Sequence, residues 1–199
     1  MKFRQARLGD IPKLVELEDR AWPEGGSASS EQFESRIKTF PTGVIIAEEN
    51  NNIVGVVVGQ KIQLSEISNG KKNWKTITDN GYIANSHRPT GDTLFGVDLS
   101  VDPDLQNRGI GRRLLLEIGK LAIKNNLKFG VLGARMPDYH KYCKKLTPEQ
   151  YVNHRDENGK LIDSELRFYE SAGLELRGVI KDYFPDRESL NNGVLAVWK

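Results

Sequence analysis

The stretch DLSVDPDLQNRGIGRRLLLEI, Asp98 to Ile118, sets an apolar strand, a proline-marked turn and two glycines directly before a helix whose opening is crowded with arginine. A helix start presents unpaired backbone N–H groups and the positive end of its dipole, so a loop that allows close approach can hold a phosphate or pyrophosphate. Gly109 and Gly111 carry no side chain to block that approach, and Arg108, Arg112 and Arg113 add positive charge nearby. Their angular positions on the helix differ, so some of them must face water. A P-loop requires a Gly-Lys-Ser/Thr ending and a dinucleotide fingerprint requires a third glycine two residues further on; neither is present. Taken alone, the two glycines are equally consistent with a plain strand-to-helix turn.

Outward from this stretch, TLFGVDLSV reads as a strand, and Ile110, Leu114, Ile118, Leu121 and Ala122 repeat at helical intervals after it. KFGVLGA is a short apolar strand, which makes the unit around QNRGIG parallel. Upstream, MKFRQA is extended, and Asp10 is placed to cap a helix using Ile11, Leu14, Val15 and Trp22, with Pro12 in its first turn. Ser29 with Gln32 resembles a capping box for a helix carrying Phe33, Ile37 and Phe40, stopped by Pro41. Two β-rich runs around Asn50 and Asn51 read as a hairpin, with Gly55 and Gly59 at bulges or close backbone approaches. Downstream, Thr147, Pro148 and Gln150 open a small helix, Asp163 caps a last one that Gly173 stops, and LELRGVIKDYF and GVLAVWK are strands. Two polar stretches, 65–90 and 135–161, read as insertions, the first as an extended hairpin tip or irregular segment. The expected architecture is α/β, one domain over 1–199, with a mixed, mostly antiparallel sheet flanked by helices.

Composition narrows the partners. Over 199 residues the formal net charge is only +2, and no run of Lys or Arg is long enough for a nucleic-acid arm. The paired lysines at Lys71 and Lys144 read as solvated surface features. No apolar run approaches the roughly 18 residues of a membrane span. A single cysteine, Cys143, and an opening without an apolar signal core fit a reducing cytoplasm. Cys143 and His140 are close enough to share a helical face, but no third orienting group accompanies them, and adding His154 matches no zinc spacing. No metal is expected.

Gln106, Gly109 and Gly111 follow the spacing Q/R-x-x-G-x-G/A, and with the preceding LSVDPDL this region resembles the cofactor motif of the GNAT superfamily of acyl-CoA-dependent N-acetyltransferases. FYESAGL, Phe168 to Leu174, is similar to that superfamily's later helix signature. GARMPDYHKY also looks like segments of GNAT domains that occur beside carbon–nitrogen hydrolases, although no hydrolase domain fits within this chain. The resemblance implies acetyl-CoA as cosubstrate. Gln106, Asn107, Arg108, Gly109, Ile110, Gly111 and Arg112 would hold the pyrophosphate, and the backbone of Leu99 and Val101 would pair with the pantetheine arm as an added strand.

It also implies direct attack of an amine on the thioester, with Tyr169 as general acid; the other reading of Tyr169 is a packed phenol with a satisfied hydroxyl. A phenol of ordinary pKa, about 10, keeps its proton at neutral pH and can pass it to a leaving thiolate. Asp98, in the cofactor strand, is the candidate base, with a purely structural hydrogen-bonding role as the alternative; Asp102 pairs more simply with its own turn. The asparagine that GNAT members often carry about seven residues before the tyrosine is replaced here by Ile162. Trp22, Phe40, Trp74 and Tyr82 are either acceptor-pocket walls or packing anchors. The acceptor amine is unidentified, a homodimer stays open, and the alternative functions are a noncatalytic acyl-CoA sensor or a different nucleotide-binding protein.

Overall fold

The computed structural model describes residues 1–23, 25–68 and 73–198, which leaves Lys71 outside the described residues. Seven strands form one sheet: β1 Lys2–Gln5, β2 Val44–Glu49, β3 Asn52–Ile62, β4 Thr93–Val101, β5 Phe129–Ala134, β6 Glu175–Ile180 and β7 Gly193–Trp198. Their spatial order is β1-β2-β3-β4-β5-β7-β6, and only β4 and β5 run parallel. The helices are α1 Ile11–Ala21, α2 Ser30–Thr39, α3 Leu64–Ser68, α4 Trp74–Thr78, α5 Ile110–Lys124, α6 Pro148–Val152 and α7 Ser164–Ser171. No helix among the described residues is long and apolar enough to cross a membrane.

Local chemistry fixes most boundaries. Asn50 and Asn51 take the left-handed conformation that a two-residue hairpin turn needs, at φ 52° and 63°. Ser29 and Gln32 close the capping box of α2, as Thr147 and Gln150 do for α6, and the Asp163 carboxylate accepts from the N–H groups of Glu165 and Leu166 to start α7. Asp10 departs from its expected role. It stands at the N-cap of α1, but its carboxylate is taken by the Arg4 guanidinium (2.7 and 2.9 Å) and by Arg7 N–H (2.8 Å), closing the preceding turn instead of capping the helix.

The parallel unit is seated by glycines in β3. A Cβ on Gly55 would lie 2.9 Å from Leu114, and one on Gly59 would lie 3.4 Å from Ile118, so both bare positions admit α5 against the sheet. The buried face of α5, Ile110, Leu114, Leu115 and Ile118, covers them. Register shifts fall between Ala47 and Glu48, opposite the Gly55 region, and at Val58/Gly59.

The first insertion corrects the expectation of an irregular segment or hairpin tip. It holds α3 and α4 and is tied down by side chains: Arg36 Nε donates to Gly81 O (2.7 Å), Gln32 Nε2 to Asn80 O (2.6 Å), and Gln60 Nε2 to Ile77 O (2.9 Å). Trp74, opening α4, is thereby brought over the sheet, where its indole N–H donates to Val97 O (2.9 Å).

The pairing of β4 with β5 covers only Thr93 to Gly96 against Phe129 to Leu132. Beyond Gly96 the two strands part. Val97 falls at the register shift, and residues 98–101 of β4 keep their antiparallel partners in β3 on one side and have no strand partner on the other.

Candidate active site

The opening between β4 and β5 continues into a cleft of about 550 Å³, floored by Leu99, Ser100 and Val101 and closed at one end by Gln106, Asn107, Gly109, Ile110, Gly111 and Arg112. Its other wall is α7, through Glu165, Phe168 and Tyr169. The strand, the helix start and the phenol singled out from sequence are thus brought to one continuous surface. Gly109 adopts φ 77°, the left-handed region that favours glycine, and a Cβ there would meet nothing within 4 Å, so the helix start is open to the cleft. Gly111 does different work. A Cβ on it would come within 3.2 Å of the Phe168 ring, so its bare Cα is the seat on which α7 rests.

The arginines divide. Arg112 lines the cleft, whereas Arg108 turns to Glu49 (3.6 Å) and Arg113 lies over the Phe3 ring (4.7 Å to its centroid). Asp102 accepts both nitrogens of Arg20 (2.7 and 2.9 Å) and the N–H of Asp104, which anchors the turn before the cleft.

Behind Tyr169 the cleft opens into a smaller chamber of about 120 Å³. The two share Trp22, Leu99, Arg135, Glu165 and Tyr169 as their common rim. A third, open groove of about 760 Å³, bordered by Pro185, Asp186, Arg187 and Glu188, reaches the chamber at Trp22, Arg135 and Phe184. Cleft and groove therefore both meet the chamber at Trp22 and Arg135.

The Tyr169 hydroxyl makes no hydrogen bond among the described residues, and burial holds its phenol well above the usual tyrosine range, with the Glu165 carboxyl adding to the shift. Glu165 lies one helical turn before it on the same face of α7 and accepts weakly from Arg135 N–H (3.3 Å). Burial pushes this carboxyl up to about 7, against the pull of Arg135. Arg135 is held by Asp186 (3.0 Å from both Nε and Nη2) and by Glu188 (2.9 Å), and lies over the Trp22 ring at 5.1 Å; its Nη1 makes no hydrogen bond among the described residues.

Asp98 reaches the chamber wall, where it is engaged. Its Oδ2 accepts from Arg36 Nη1 at 2.8 Å, and this pair is almost wholly buried, at 1% and 9% side-chain exposure. Glu18 lies beside them, fully buried, with Oε2 accepting from Ala28 N–H (3.1 Å) and Oε1 without a hydrogen-bond partner among the described residues. Burial, together with the Asp98 charge, pushes Glu18 up to about 8. The native state thus retains a proton that the unfolded chain loses at ordinary carboxylate pKa, so stability falls as pH rises through the window between about 4.5 and 8. We expect a loss on the order of 3 kcal/mol, or roughly 10 °C in melting temperature, across that window. Glu165 contributes only below about pH 7, so Glu18→Gln should flatten the upper part of the decline in a calorimetric pH series. An unchanged slope between pH 7 and 8 in that variant would contradict the assignment.

Other expectations sort themselves by contact. Trp22 and Trp74 line the chamber, Phe40 is a buried anchor stacked on His87 (4.5 Å), and Tyr82 is exposed. Cys143 Sγ donates to His140 O (3.3 Å), while His140 Nδ1 faces Pro137 O (2.8 Å), so thiol and imidazole are not paired. Among the described residues no cluster of three His, Cys, Asp or Glu is placed to hold a metal. Sequence reasoning missed Glu165 and Arg135. The first had a usable signal, its place four residues before Tyr169; the second had none, because its partners come from a loop some fifty residues away.

Comparison with known proteins agrees with this geometry. The profile of the acetyltransferase (GNAT) family matches residues 11–143. The uncharacterized N-acetyltransferase YkwB of Bacillus subtilis (strain 168) is 36% identical over 194 residues, 96% of this chain and 84% of that protein. The probable hydrolase YhcX of the same organism is 31% identical across 100% of this chain, which spans 38% of that protein's length. Among solved structures, the GphF GNAT-like decarboxylase in complex with isobutyryl-CoA superposes with a TM-score of 0.84 at 28% identity, covering 99% of this chain and 98% of that one.

Proposed function

The chain belongs to the GNAT acetyltransferase family, and from that premise we propose that it moves an acetyl group from acetyl-CoA to the amine of a small molecule or peptide. The observation that carries this reading is the unbroken cleft from Gly109 and Arg112 to the unpartnered phenol of Tyr169. Its residues fit the cosubstrate. The α5 N–H groups, opened by the bare Cα of Gly109, would hold the pyrophosphate with Arg112, and the free edge of β4 at Leu99 and Val101 would pair with the pantetheine amides. Bound there, acetyl-CoA supplies an activated acyl group and a thiolate leaving group.

The chain's own part is orientation and proton handling. Glu165, with a carboxyl near neutrality and on the rim shared by cleft and chamber, takes the proton that an ammonium must lose before it can attack. Tyr169 supplies a proton on the thiolate side. Asp98, paired with Arg36, holds the chamber wall in place. The acceptor enters by the groove along Asp186 and Glu188.

The test is calorimetry with acetyl-CoA on the wild type and on Gly109→Asp. Aspartate at φ 77° strains the backbone by about 1–2 kcal/mol and sets a negative charge beside the pyrophosphate. The strain is present with and without ligand and costs stability, while the charge acts on binding and predicts a loss in affinity of about tenfold, with the fold retained because the added side chain meets open space. Equal affinity in the variant would remove the proposed seat.

A second reading is favoured by the likeness to a GNAT-like decarboxylase and by the unpartnered Arg135 Nη1 on the chamber rim. A guanidinium nitrogen there would receive the carboxylate of a carboxylated acyl-CoA before release of CO2. Assaying an amine panel with acetyl-CoA beside CO2 release from malonyl-CoA and methylmalonyl-CoA separates the two. Tight binding with neither activity would identify a noncatalytic acyl-CoA sensor.

A further inference from the structure

We propose that the chamber behind Tyr169 is an acyl subsite shaped for a short aliphatic chain of about four or five carbons, so that the acyl group carried is larger than the acetyl of the reading above; this rests on the CoA seat of that reading and revises only its acyl group. Its walls are mostly carbon, from Trp22, Trp74, Val97, Leu132, Tyr183 and Phe184. Of the charged groups on its wall, Arg36 and Asp98 neutralise each other at 2.8 Å, while at the rim Arg135 is held by Asp186 and Glu188 and its backbone N–H donates to Glu165. An ammonium ion would find the Asp98 carboxylate already taken and would meet a carboxyl only at the Glu165 rim, whereas a hydrocarbon reaching past the rim would lose water against the carbon walls.

Size points the same way. An apolar cavity of about 150 Å³ accepts benzene, or roughly 25 Å³ for each carbon. By that measure the 120 Å³ chamber holds about five carbons. The single methyl of an acetyl group would leave most of it empty, and empty apolar volume is costly. Length is limited too. A chain much longer than five carbons would run into the Arg36–Asp98 pair and Gln32, which are fixed by hydrogen bonds to Asn80 and Gly81. The acceptor need not compete for this space, because the groove along Pro185 to Glu188 gives it a separate approach to the same rim.

The glycines of β5 and β7 show how the chamber keeps its width. A Cβ on Gly133 would fall 2.0 Å from the Tyr183 ring, and one on Gly193 2.5 Å from it, so the ring lies flat into the sheet where a side chain would otherwise push it into the cavity. Ala28, buried at 4% exposure, is a further small residue on the chamber wall, beside Gly26.

The experiment measures dissociation constants for CoA, acetyl-CoA, isobutyryl-CoA and octanoyl-CoA on the wild type, Ala28→Leu and Phe184→Leu. Two added buried carbons predict isobutyryl-CoA to bind about tenfold more tightly than acetyl-CoA, with octanoyl-CoA weaker than isobutyryl-CoA. Ala28→Leu fills the chamber and should erase the isobutyryl preference while CoA itself binds as before; Phe184→Leu widens it and should move the optimum to a longer chain. Equal affinity for acetyl-CoA and isobutyryl-CoA, or a preference that neither variant moves, overturns the assignment while CoA binding leaves the cofactor reading intact. If CoA does not bind at all, the cofactor reading fails and takes this one with it.

Discussion

Asp98→Asn is expected to lower the free energy of unfolding by about 3–5 kcal/mol, the usual cost of leaving one member of a buried ion pair without its partner. Arg36 is 1% exposed, its Nε is committed to Gly81 O, and its planar group lies over the Phe33 ring at 5.1 Å, so it cannot turn out to water. The neighbouring Glu18 gives the experiment a second readout. With the Asp98 charge gone, one cause of its raised pKa disappears and Arg36 attracts its ionised form, so the pH-dependent loss of stability should move to lower pH. Removing both partners, as in Asp98→Asn with Arg36→Met, should recover much of the loss in urea denaturation, because no charge is then stranded. A single variant as stable as the wild type, with turnover lost, would instead return Asp98 to the role of base.

Tyr169→Phe carries the second large effect. Deleting one hydroxyl from a packed ring leaves the shape of the cleft unchanged, so affinity for acetyl-CoA should stay within about twofold, while turnover falls by about a hundredfold, the lower range for loss of a general acid. The pH profile assigns the groups. Burial keeps the phenol protonated well beyond its ordinary range, so no alkaline limb from Tyr169 should appear below about pH 10. Glu165 must be ionised to accept a proton, and its carboxyl lies near 7, so kcat/KM should fall as pH drops through neutrality. Glu165→Gln should abolish that limb. A Phe variant with wild-type turnover would remove Tyr169 from the chemistry.

The parts of this molecule that were legible in the sequence are those fixed by neighbours along the chain. The Asn50–Asn51 turn, the capping boxes at Ser29 and Thr147, and the alternation from Thr93 to Val101 depend on contacts a few residues apart, and each element stands where its residues imply. The five-residue helices α3 and α4 were not legible. They are too short to overcome the cost of helix nucleation alone: Arg36, Gln32 and Gln60 hold α4 and the turn after it, and the Asp92 carboxylate accepts from Leu64 N–H at the start of α3.

The site follows the same division. Gly109, Gly111 and Tyr169 lie in local motifs, and the fold brings them to one cleft. The Arg36–Asp98 bond spans 62 residues, and the clasp of Arg135 by Asp186 and Glu188 spans 51 and 53, so nothing near either arginine announces it. Gly111 is instructive because its position was legible and its contact was not: the spacing marks a bare Cα, and only the packing shows that Phe168 occupies the gap.

The early parting of β4 from β5 means that the two halves of the sheet are stitched together along just Thr93 to Gly96, with one long seam left open below. Whatever threads that seam completes a ladder the chain itself never closes. In the proposed pose the pantetheine arm would serve as an eighth strand, pairing with the edge of β4 at Leu99 and Val101 that faces away from β3.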